Sequence, residues 1–168
     1  MTYRPHIRSN ERGVTFIELL VVMGMLSIFL MVMATIFTAT IDTQTQTQGY
    51  SATLSNGRLI MARLNYDIAR ASAITAPASL GASSSSLGLT IGGNTYTYAL
   101  SGSNLQLTDS TGTANLSDYN ATVSGISFER LGNVGGKDTI RYSFTITATA
   151  KQSSGAQSQT FTSTVGRR

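Results

Sequence analysis

Near its start the chain reads Arg12-Gly13-Val14-Thr15-Phe16-Ile17-Glu18-Leu19-Leu20-Val21-Val22, a glycine followed by an apolar run that holds one carboxylate. Glu18 is the one ionisable side chain between Val14 and Thr40. As a helix, these roughly 27 residues would extend about 40 Å, more than the ~30 Å hydrocarbon core of a bilayer. The densest apolar part, Leu19–Phe37, has the length of one transmembrane helix. The stretch therefore predicts a membrane-spanning helix.

Two ordinary explanations of such a segment stay open from the residues alone. A secretory signal has a basic start, a short apolar core and small residues at its cleavage site. Here the apolar run is longer, and only Ala39 and Ser51-Ala52 offer weak cleavage sites. A plain single-pass anchor accounts for the length but not for Glu18, because a carboxylate inside a spanning segment costs roughly 2.5–3.5 kcal/mol on insertion scales. Glu18 therefore needs a functional explanation with a charged partner.

Residues 12–22 closely resemble the processing site of type IV prepilins and type II secretion pseudopilins. The resemblance implies that a prepilin peptidase cuts after Gly13 and that Val14 becomes an N-methylated N-terminus. It also implies that Glu18 is the glutamate usually found at the fifth position of the mature chain. The chain departs from the usual pattern at Val14, where phenylalanine is more common, and it has no proline between His6 and Ala76.

Cleavage after Gly13 would give Val14 a charged α-ammonium group in or near an apolar environment. An isolated charge in such a site is very costly, whereas a paired charge is tolerated. We expect the Glu18 carboxylate of one subunit to pair with the Val14 ammonium of its neighbour. If one helix were shifted along its axis relative to the neighbouring helix, both charges would be left unpaired. The ion pair would therefore fix the axial stagger between subunit helices during filament assembly.

Residues 41–76 predict an amphipathic helix that Pro77 ends, and residues 42–48 are expected either to fray or to form a linker. Its apolar residues recur at helical spacing: Leu54, Gly57, Met61, Leu64, Ile68 and Ala71. The charged residues are expected on a solvated face, where Asp67 is spaced to pair with Arg63 and with Arg70.

After Pro77 the sequence changes to short runs of alternating or β-branched residues separated by turn signals. The predicted strands are Leu87–Ile91, Thr95–Leu100, Asn104–Thr108, Thr122–Phe128, Thr139–Thr149 and Gln159–Val165. The predicted turns are Gly92-Gly93-Asn94, Ser101-Gly102-Ser103, residues 133–136 and Ser153-Ser154-Gly155, and residues 82–86 are a low-complexity loop. One apolar face, made of Ile140, Tyr142, Phe144 and Ile146, is a natural seat for the amphipathic helix.

The sequence therefore predicts an α+β, pilin-like fold, a long N-terminal helix packed on an antiparallel β-sheet. The expected organisation is a leader at 1–13, a transmembrane or filament-core helix at 14–40, an amphipathic helix at 41–76 and a β-rich exported head at 77–168. Residues 63–71, 123–129 and 161–168 resemble minor pilins of the J type.

Composition argues against several other functions. Cysteine is absent and the one histidine, His6, lies in the leader, so we expect no catalytic residue, no cofactor, no metal site and no enzyme. The net charge of +4 comes largely from the two ends of the chain, so nucleic acid is not an expected partner. Residues Asp109–Asp118 form an acidic loop that could hold calcium, although they lack the ligand spacing of a calcium hand.

The function that follows is a minor pilin or pseudopilin, a structural subunit of a type IV pilus, a type II secretion pseudopilus or a competence pseudopilus. Its expected partners are the prepilin peptidase, other pilin or pseudopilin subunits and the membrane. Arg4, Arg8 and Arg12 precede the apolar run, which predicts a single-pass inner-membrane protein with its head outside the cytoplasm. The alternative is a stand-alone, membrane-anchored binding domain such as an adhesin. Secretion, DNA uptake, adhesion and motility stay open as tasks of the filament.

Overall fold

A computed structural model describes residues 14–150 and 155–168. The chain divides into two compact units, Met1–Ile41 and Asp42–Arg168. Gly13 and the predicted turn residues Ser153 and Ser154 lie outside the described residues. Helix α1, Phe16–Arg70, begins in the first unit and ends in the second. The described part of the first unit consists of Val14, Thr15 and the start of this helix.

All β-strands lie in the second unit, and every pairing between them is antiparallel. Their bounds are β1 Ala73–Ala76, β2 Ser83–Ser84, β3 Ser86–Ile91, β4 Asn94–Ser101, β5 Asn104–Asp109, β6 Gly112–Asn115, β7 Ala121–Leu131, β8 Thr139–Ala148 and β9 Ser158–Gly166. They form a five-stranded sheet in the order β1-β3-β4-β5-β6 and a four-stranded sheet in the order β2-β7-β8-β9. The predicted α+β, pilin-like fold is confirmed, with two sheets where one was expected.

The hairpin between β3 and β4 shows why the sequence folds locally as predicted. Ile91 pairs with Asn94, so Gly92 and Gly93 form a two-residue loop. Their φ angles are 58° and 83°, and positive values at both positions are what the favoured hairpin turn requires. Glycine adopts them without the steric cost that other residues would meet.

The second half of α1 packs on the sheets. Ile60, Leu64 and Ile68 are completely buried. The predicted apolar face of β8 is confirmed, because its four side chains, Ile140, Tyr142, Phe144 and Ile146, are at most 1% exposed. The Tyr142 hydroxyl donates to Asn65 Oδ1 on the helix at 2.6 Å, which ties the sheet to α1 directly.

Gly57 of α1 lies directly against Phe161 of β9. A Cβ atom at this position would overlap the ring of Phe161. That ring stacks on Phe144, with 5.5 Å between the ring centroids, so it has little freedom to move aside. Glycine in a helix interior costs about 1 kcal/mol relative to alanine. The close packing of Phe161 explains why the helix carries glycine here in spite of that cost.

Several expected boundaries were wrong. The amphipathic helix ends at Arg70 and not at Pro77, and residues 73–76 form strand β1. The chain leaves the helix because the N–H and hydroxyl of Ser72 both donate to the carbonyl of Thr90, which starts the pairing of β1 with β3. Residues 42–48 are helical and not a linker. The predicted loops at 82–86 and 109–118 contain strands β2 and β6.

The buried face of α1 is more polar than the predicted stripe. Leu54 and Met61 are only half-buried, whereas Ile60 is buried. Asp67, expected on the solvated face, is 2% exposed. It accepts a hydrogen bond from the Tyr98 hydroxyl of β4, and Arg63 Nε donates to it at 2.7 Å.

The pairing of the charged residues agrees with the sequence prediction for Arg63 but differs for Arg70. The expected Arg63–Asp67 ion pair is present. Arg70, expected to pair with Asp67, instead places its guanidinium 4.6 Å from the centroid of the Tyr66 ring.

The buried Asp67–Tyr98 contact predicts how stability depends on pH. Burial, and then the hydrogen bond to Asp67, raise the pKa of Tyr98 above its ordinary value. The unfolded chain therefore loses this proton first, so stability is complete below about pH 10 and falls as the pH rises above it, by up to about 1.4 kcal/mol per pH unit. We expect Tyr98→Phe to lower the free energy of unfolding at pH 7 by about 1–3 kcal/mol, because Asp67 loses a donor. It should also flatten the alkaline decline.

The measurement is urea unfolding of the full chain in detergent micelles between pH 7 and pH 11, followed by near-ultraviolet circular dichroism. Tyr119→Phe is a matched control, because this side chain is 85% exposed and its loss should leave the stability at pH 7 unchanged. Burial also raises the pKa of Tyr142, so part of the alkaline decline should persist in Tyr98→Phe. A Tyr98→Phe profile parallel to that of the wild type would contradict the assignment.

Candidate functional site

The start of α1 carries the residues that the sequence analysis singled out. Thr15 precedes the helix and acts as its N-cap, since its Oγ1 accepts a hydrogen bond from the Glu18 N–H at 3.3 Å. Its carbonyl accepts the Leu19 N–H at 3.1 Å. Thr15 and Glu18 have the spacing of a capping box, in which a threonine and a glutamate three residues later fix the first turn. This local pattern was available in the sequence and was missed there.

Glu18 lies in the first turn of α1 and is exposed. A negative charge at this end of a helix is favourable, because the first N–H groups carry partial positive charge. Val14, also exposed, lies just before the N-cap. Val14 and Glu18 therefore lie within about one helical turn of each other, where both are accessible to another molecule. Gly13 lies outside the described residues.

The side chains in the first half of α1 are not buried by other described residues of their own unit. Every described residue of this unit, from Val14 to Ile41, is exposed. Large apolar side chains dominate, and Phe16, Met25 and Met31 are 69–78% exposed. In the part of the chain that the structure describes, α1 is the one helix long and apolar enough to cross a membrane. A continuous apolar surface of this size marks contact with lipid or with other proteins.

The few polar side chains in this segment satisfy themselves within the helix. The hydroxyls of Ser27, Thr35 and Thr40 donate to carbonyls four residues earlier, at 2.8–2.9 Å. Unsatisfied polar groups in a bilayer core cost several kcal/mol each, so internal hydrogen bonding of this kind suits an apolar environment. Glu18 is the exception, because a carboxylate accepts hydrogen bonds and cannot donate to a helix carbonyl in this way.

Residues 8–34 match a family model described as the prokaryotic N-terminal methylation motif. No curated protein and no solved structure matches the chain. The motif indicates a type IV pilin-like precursor. The match spans Gly13, Val14, Glu18 and much of the exposed apolar helix, and it supports the type IV pilin and pseudopilin family. A motif of this type implies processing of the precursor by a prepilin peptidase, a membrane anchor and assembly with other pilins.

In the acidic segment that the sequence analysis named as a possible calcium site, Asp109 and Asp118 each bond to a neighbouring backbone N–H. Asp109 Oδ1 accepts hydrogen bonds from the Thr111 N–H at 2.7 Å, the Thr111 hydroxyl at 2.5 Å and the Gly112 N–H at 3.2 Å. The Thr111 hydroxyl, and then its N–H, hold the pKa of Asp109 below its ordinary value. Asp118 instead accepts the N–H of Tyr119 at 2.7 Å. Each carboxylate thus stabilises its own turn. Residues 14–150 and 155–168 contain no group of three or more His, Cys, Asp or Glu side chains that could hold a metal ion.

Proposed function

We propose that the pilin-like precursor is a minor pilin or pseudopilin, a structural subunit of a type IV pilus, a type II secretion pseudopilus or a competence pseudopilus. A prepilin peptidase would remove residues 1–13 by cutting after Gly13, and Val14 would then be N-methylated. One observation carries the proposal. The methylation motif at residues 8–34 coincides with a helix start whose apolar side chains have no cover in their own unit.

The proposed segments have different tasks. Residues 14–40 anchor the precursor in the membrane and later pack in the filament core. The following helical residues, to Arg70, and the β-rich head form the exported part. The minor, J-type assignment rests on the resemblance of residues 63–71, 123–129 and 161–168, which lie around the end of α1, in β7 and at the closing strand β9.

Glu18 would act between subunits. Its carboxylate is exposed in the first turn of α1, where another subunit can reach it. The carboxylate is free to meet the ammonium that cleavage creates at Val14 of a neighbouring subunit. Because a buried unpaired charge is far more costly than a buried ion pair, only one axial stagger of the helices would satisfy both groups.

Processing gives the first test of the proposal. The intact mass of protein isolated from membranes should correspond to loss of residues 1–13, with one additional methyl group on Val14. Gly13→Leu should block the cleavage, because a bulky side chain does not fit a peptidase cleft shaped for glycine. Gly24→Leu is a matched control and should be cleaved normally, since Gly24 lies within α1 and a Cβ there would meet nothing within 4 Å beyond the adjoining helix backbone. Wild-type protein that retains Met1 in cells with the peptidase would contradict the proposal.

The orientation gives a second test. Arg4, Arg8 and Arg12 precede the apolar run, and the flank after it carries Asp42 and no basic residue before Arg58. By the positive-inside rule the head should therefore lie outside the cytoplasm. A phosphatase fused after Arg168, active only when exported, should be active. Activity of a cytoplasm-only reporter at the same position would reverse the proposed orientation.

The role of Glu18 gives a third test. Glu18→Gln keeps the shape of the side chain but removes its charge, so the neighbouring ammonium loses its ionic partner. Breaking a buried pair in this way costs on the order of 3–5 kcal/mol, enough to exclude a subunit from a filament. We expect Glu18→Gln protein to be cleaved and inserted but to co-purify poorly with sibling pilins, while the melting temperature of its folded head is unchanged.

Thr15→Val is the control that separates assembly from helix capping. It removes the hydroxyl cap, worth about 1 kcal/mol, and leaves the Glu18 charge in place. We expect Thr15→Val to assemble much better than Glu18→Gln. Equal defects in the two variants would mean that Glu18 serves only the first helical turn. Wild-type assembly of Glu18→Gln would show that Glu18 has no role in register.

A further inference from the structure

The outer face of the second half of α1 carries two large apolar side chains that nothing in their own unit buries. Leu59 is 59% exposed and Tyr66 is 55% exposed. Ser55 and Ala62 are also exposed and alternate with them along the helix. These four residues, Ser55, Leu59, Ala62 and Tyr66, follow one another at spacings of four, three and four residues. We call them the α1 seam.

The spacing of the α1 seam is that of the contact positions in a coiled coil, which recur on average about every 3.5 residues. Ile60, Leu64 and Ile68, which pack on the sheets, are completely buried and lie outside the seam. The helix therefore has a second contact line that its own sheets do not use. Alternation of large and small residues along such a line lets the side chains of another helix interdigitate with it.

The borders of the α1 seam are positively charged. Arg58 lies on one border, and Arg63 and Arg70 lie on the other. The one acidic residue between Tyr50 and Arg70 is Asp67, which is buried and paired with Arg63. Among the described residues, Arg58 and Arg70 form no ion pair. The outer face of α1 thus presents positive charge that its own carboxylates do not balance.

Arg70 is held beside the seam by the ring that it borders. Its guanidinium carbon lies 4.6 Å from the centroid of the Tyr66 ring, a cation–π contact. This contact uses the face of the guanidinium, whereas its N–H groups point from the edge. Those groups can donate to a carboxylate in the paired geometry that arginine favours.

The charges decide between a second copy and a different partner. If two copies of the α1 seam met, each border would face a border of the other copy, and every charged side chain of the seam borders is an arginine. Like charges at these flanking positions oppose association, whereas opposite charges there determine partner choice. A helix with acidic borders fits, and a second copy does not.

We propose that the α1 seam binds a parallel helix of a different subunit, with apolar and small residues along its contact line and glutamate or aspartate on both borders. The inference rests on the proposed function for the direction of the partner helix, because helices that share a membrane anchor or a filament core point the same way. Contact buries Leu59 and Tyr66, and the partner's carboxylates neutralise Arg58 and Arg70. The apolar first half of α1 has only Glu18 as a charge, so the seam supplies the selection between partners.

The test uses synthetic helical probes and the full chain, which contains no cysteine of its own. Each probe has about three heptads, with leucine and alanine on the contact line and one cysteine in place of an alanine. The acidic probe has glutamate on both borders, and the basic probe has lysine. The full-length, uncleaved Ala62→Cys protein in non-ionic detergent micelles is mixed with each probe in a glutathione buffer. The fraction of mixed disulfide at equilibrium then reports the contact.

We expect the acidic probe to form about tenfold more mixed disulfide with Ala62→Cys than the basic probe at low salt. The difference should largely vanish at about 1 M salt, where the Debye length is only about 3 Å. Thr113→Cys, on the exposed strand β6, is the matched control and should give background with both probes. Equal yields from the two probes would overturn the proposal. A disulfide-linked Ala62→Cys homodimer that outcompetes the acidic probe would also overturn it, because the occupant would then be a second copy.

Charge reversal tests the arginines directly. Arg58→Glu combined with Arg70→Glu should reverse the preference of Ala62→Cys, whereas Lys137→Glu, an exposed change away from α1, should keep it. Arg63 is left in place because its loss would leave the buried Asp67 without its ion pair. An unchanged preference after the double reversal would refute the role of the borders.

The direction of the partner helix is tested with Ser55→Cys, near the start of the seam. Acidic probes with the cysteine in the first heptad should link to it, and those with the cysteine in the third heptad should not. The reverse result would overturn the parallel arrangement. Because the chain is uncleaved and in micelles, this assay does not depend on processing after Gly13. Failure of the seam assay with normal processing in cells would therefore refute the seam and leave the proposed function standing.

Discussion

The constraint on which the molecule depends is that one continuous helix has to suit two environments. From Phe16 to about Ile41, the helix is apolar on all sides, and its hydroxyls bond back to its own carbonyls. Such a surface is stable only where water is excluded, by lipid or by neighbouring helices. From Gly49 onward, the same helix has a defined buried face that packs on two sheets. The change of pattern within one helix is therefore what allows one chain to carry both an apolar anchor and a folded domain.

The second half of the helix is held by polar contacts as well as by apolar packing. Asp67 bonds to the Tyr98 hydroxyl, Asn65 accepts the Tyr142 hydroxyl, and Asn56 Oδ1 accepts the Asp118 N–H at 2.9 Å. Buried polar groups cost free energy unless they are paired, so these contacts penalise any other rotation or shift of the helix on the sheets. With no disulfide available, the apolar residues supply most of the stabilisation, and the hydrogen bonds specify one position for the helix.

The sequence predicted what depends on local pattern. The long apolar helix, the fold class, the glycine hairpin at residues 92–93 and the apolar face of β8 all follow from composition and spacing within a few residues. The Asp67 environment could not be predicted in the same way, because its partner Tyr98 lies 31 residues away and the i,i+4 spacing from Arg63 is equally typical of a solvated face. Strand β1 was missed because the pairing that defines it comes from Thr90 and its neighbours, not from residues 73–76. At the candidate site, the motif identified Glu18 and Val14, while the Thr15 cap was within reach of the same local reasoning.

The C-terminal end of β9 is held by a network of charged side chains. Asp138, just before β8, accepts both Nε and Nη2 of Arg130 at 3.1 Å and lies 3.6 Å from Arg167 Nη2. Arg130 Nη1 also donates to the carbonyl of Ala78 at 2.7 Å, and Arg167 Nη1 donates to the carbonyl of Ser72. These charged groups are largely buried, so each depends on the others for compensation, and removal of one would leave unpaired charge. The network therefore joins the end of β9 to the segment that follows the helix. Because buried charges join the strand to this segment, neither can move away from the other without leaving charge unpaired.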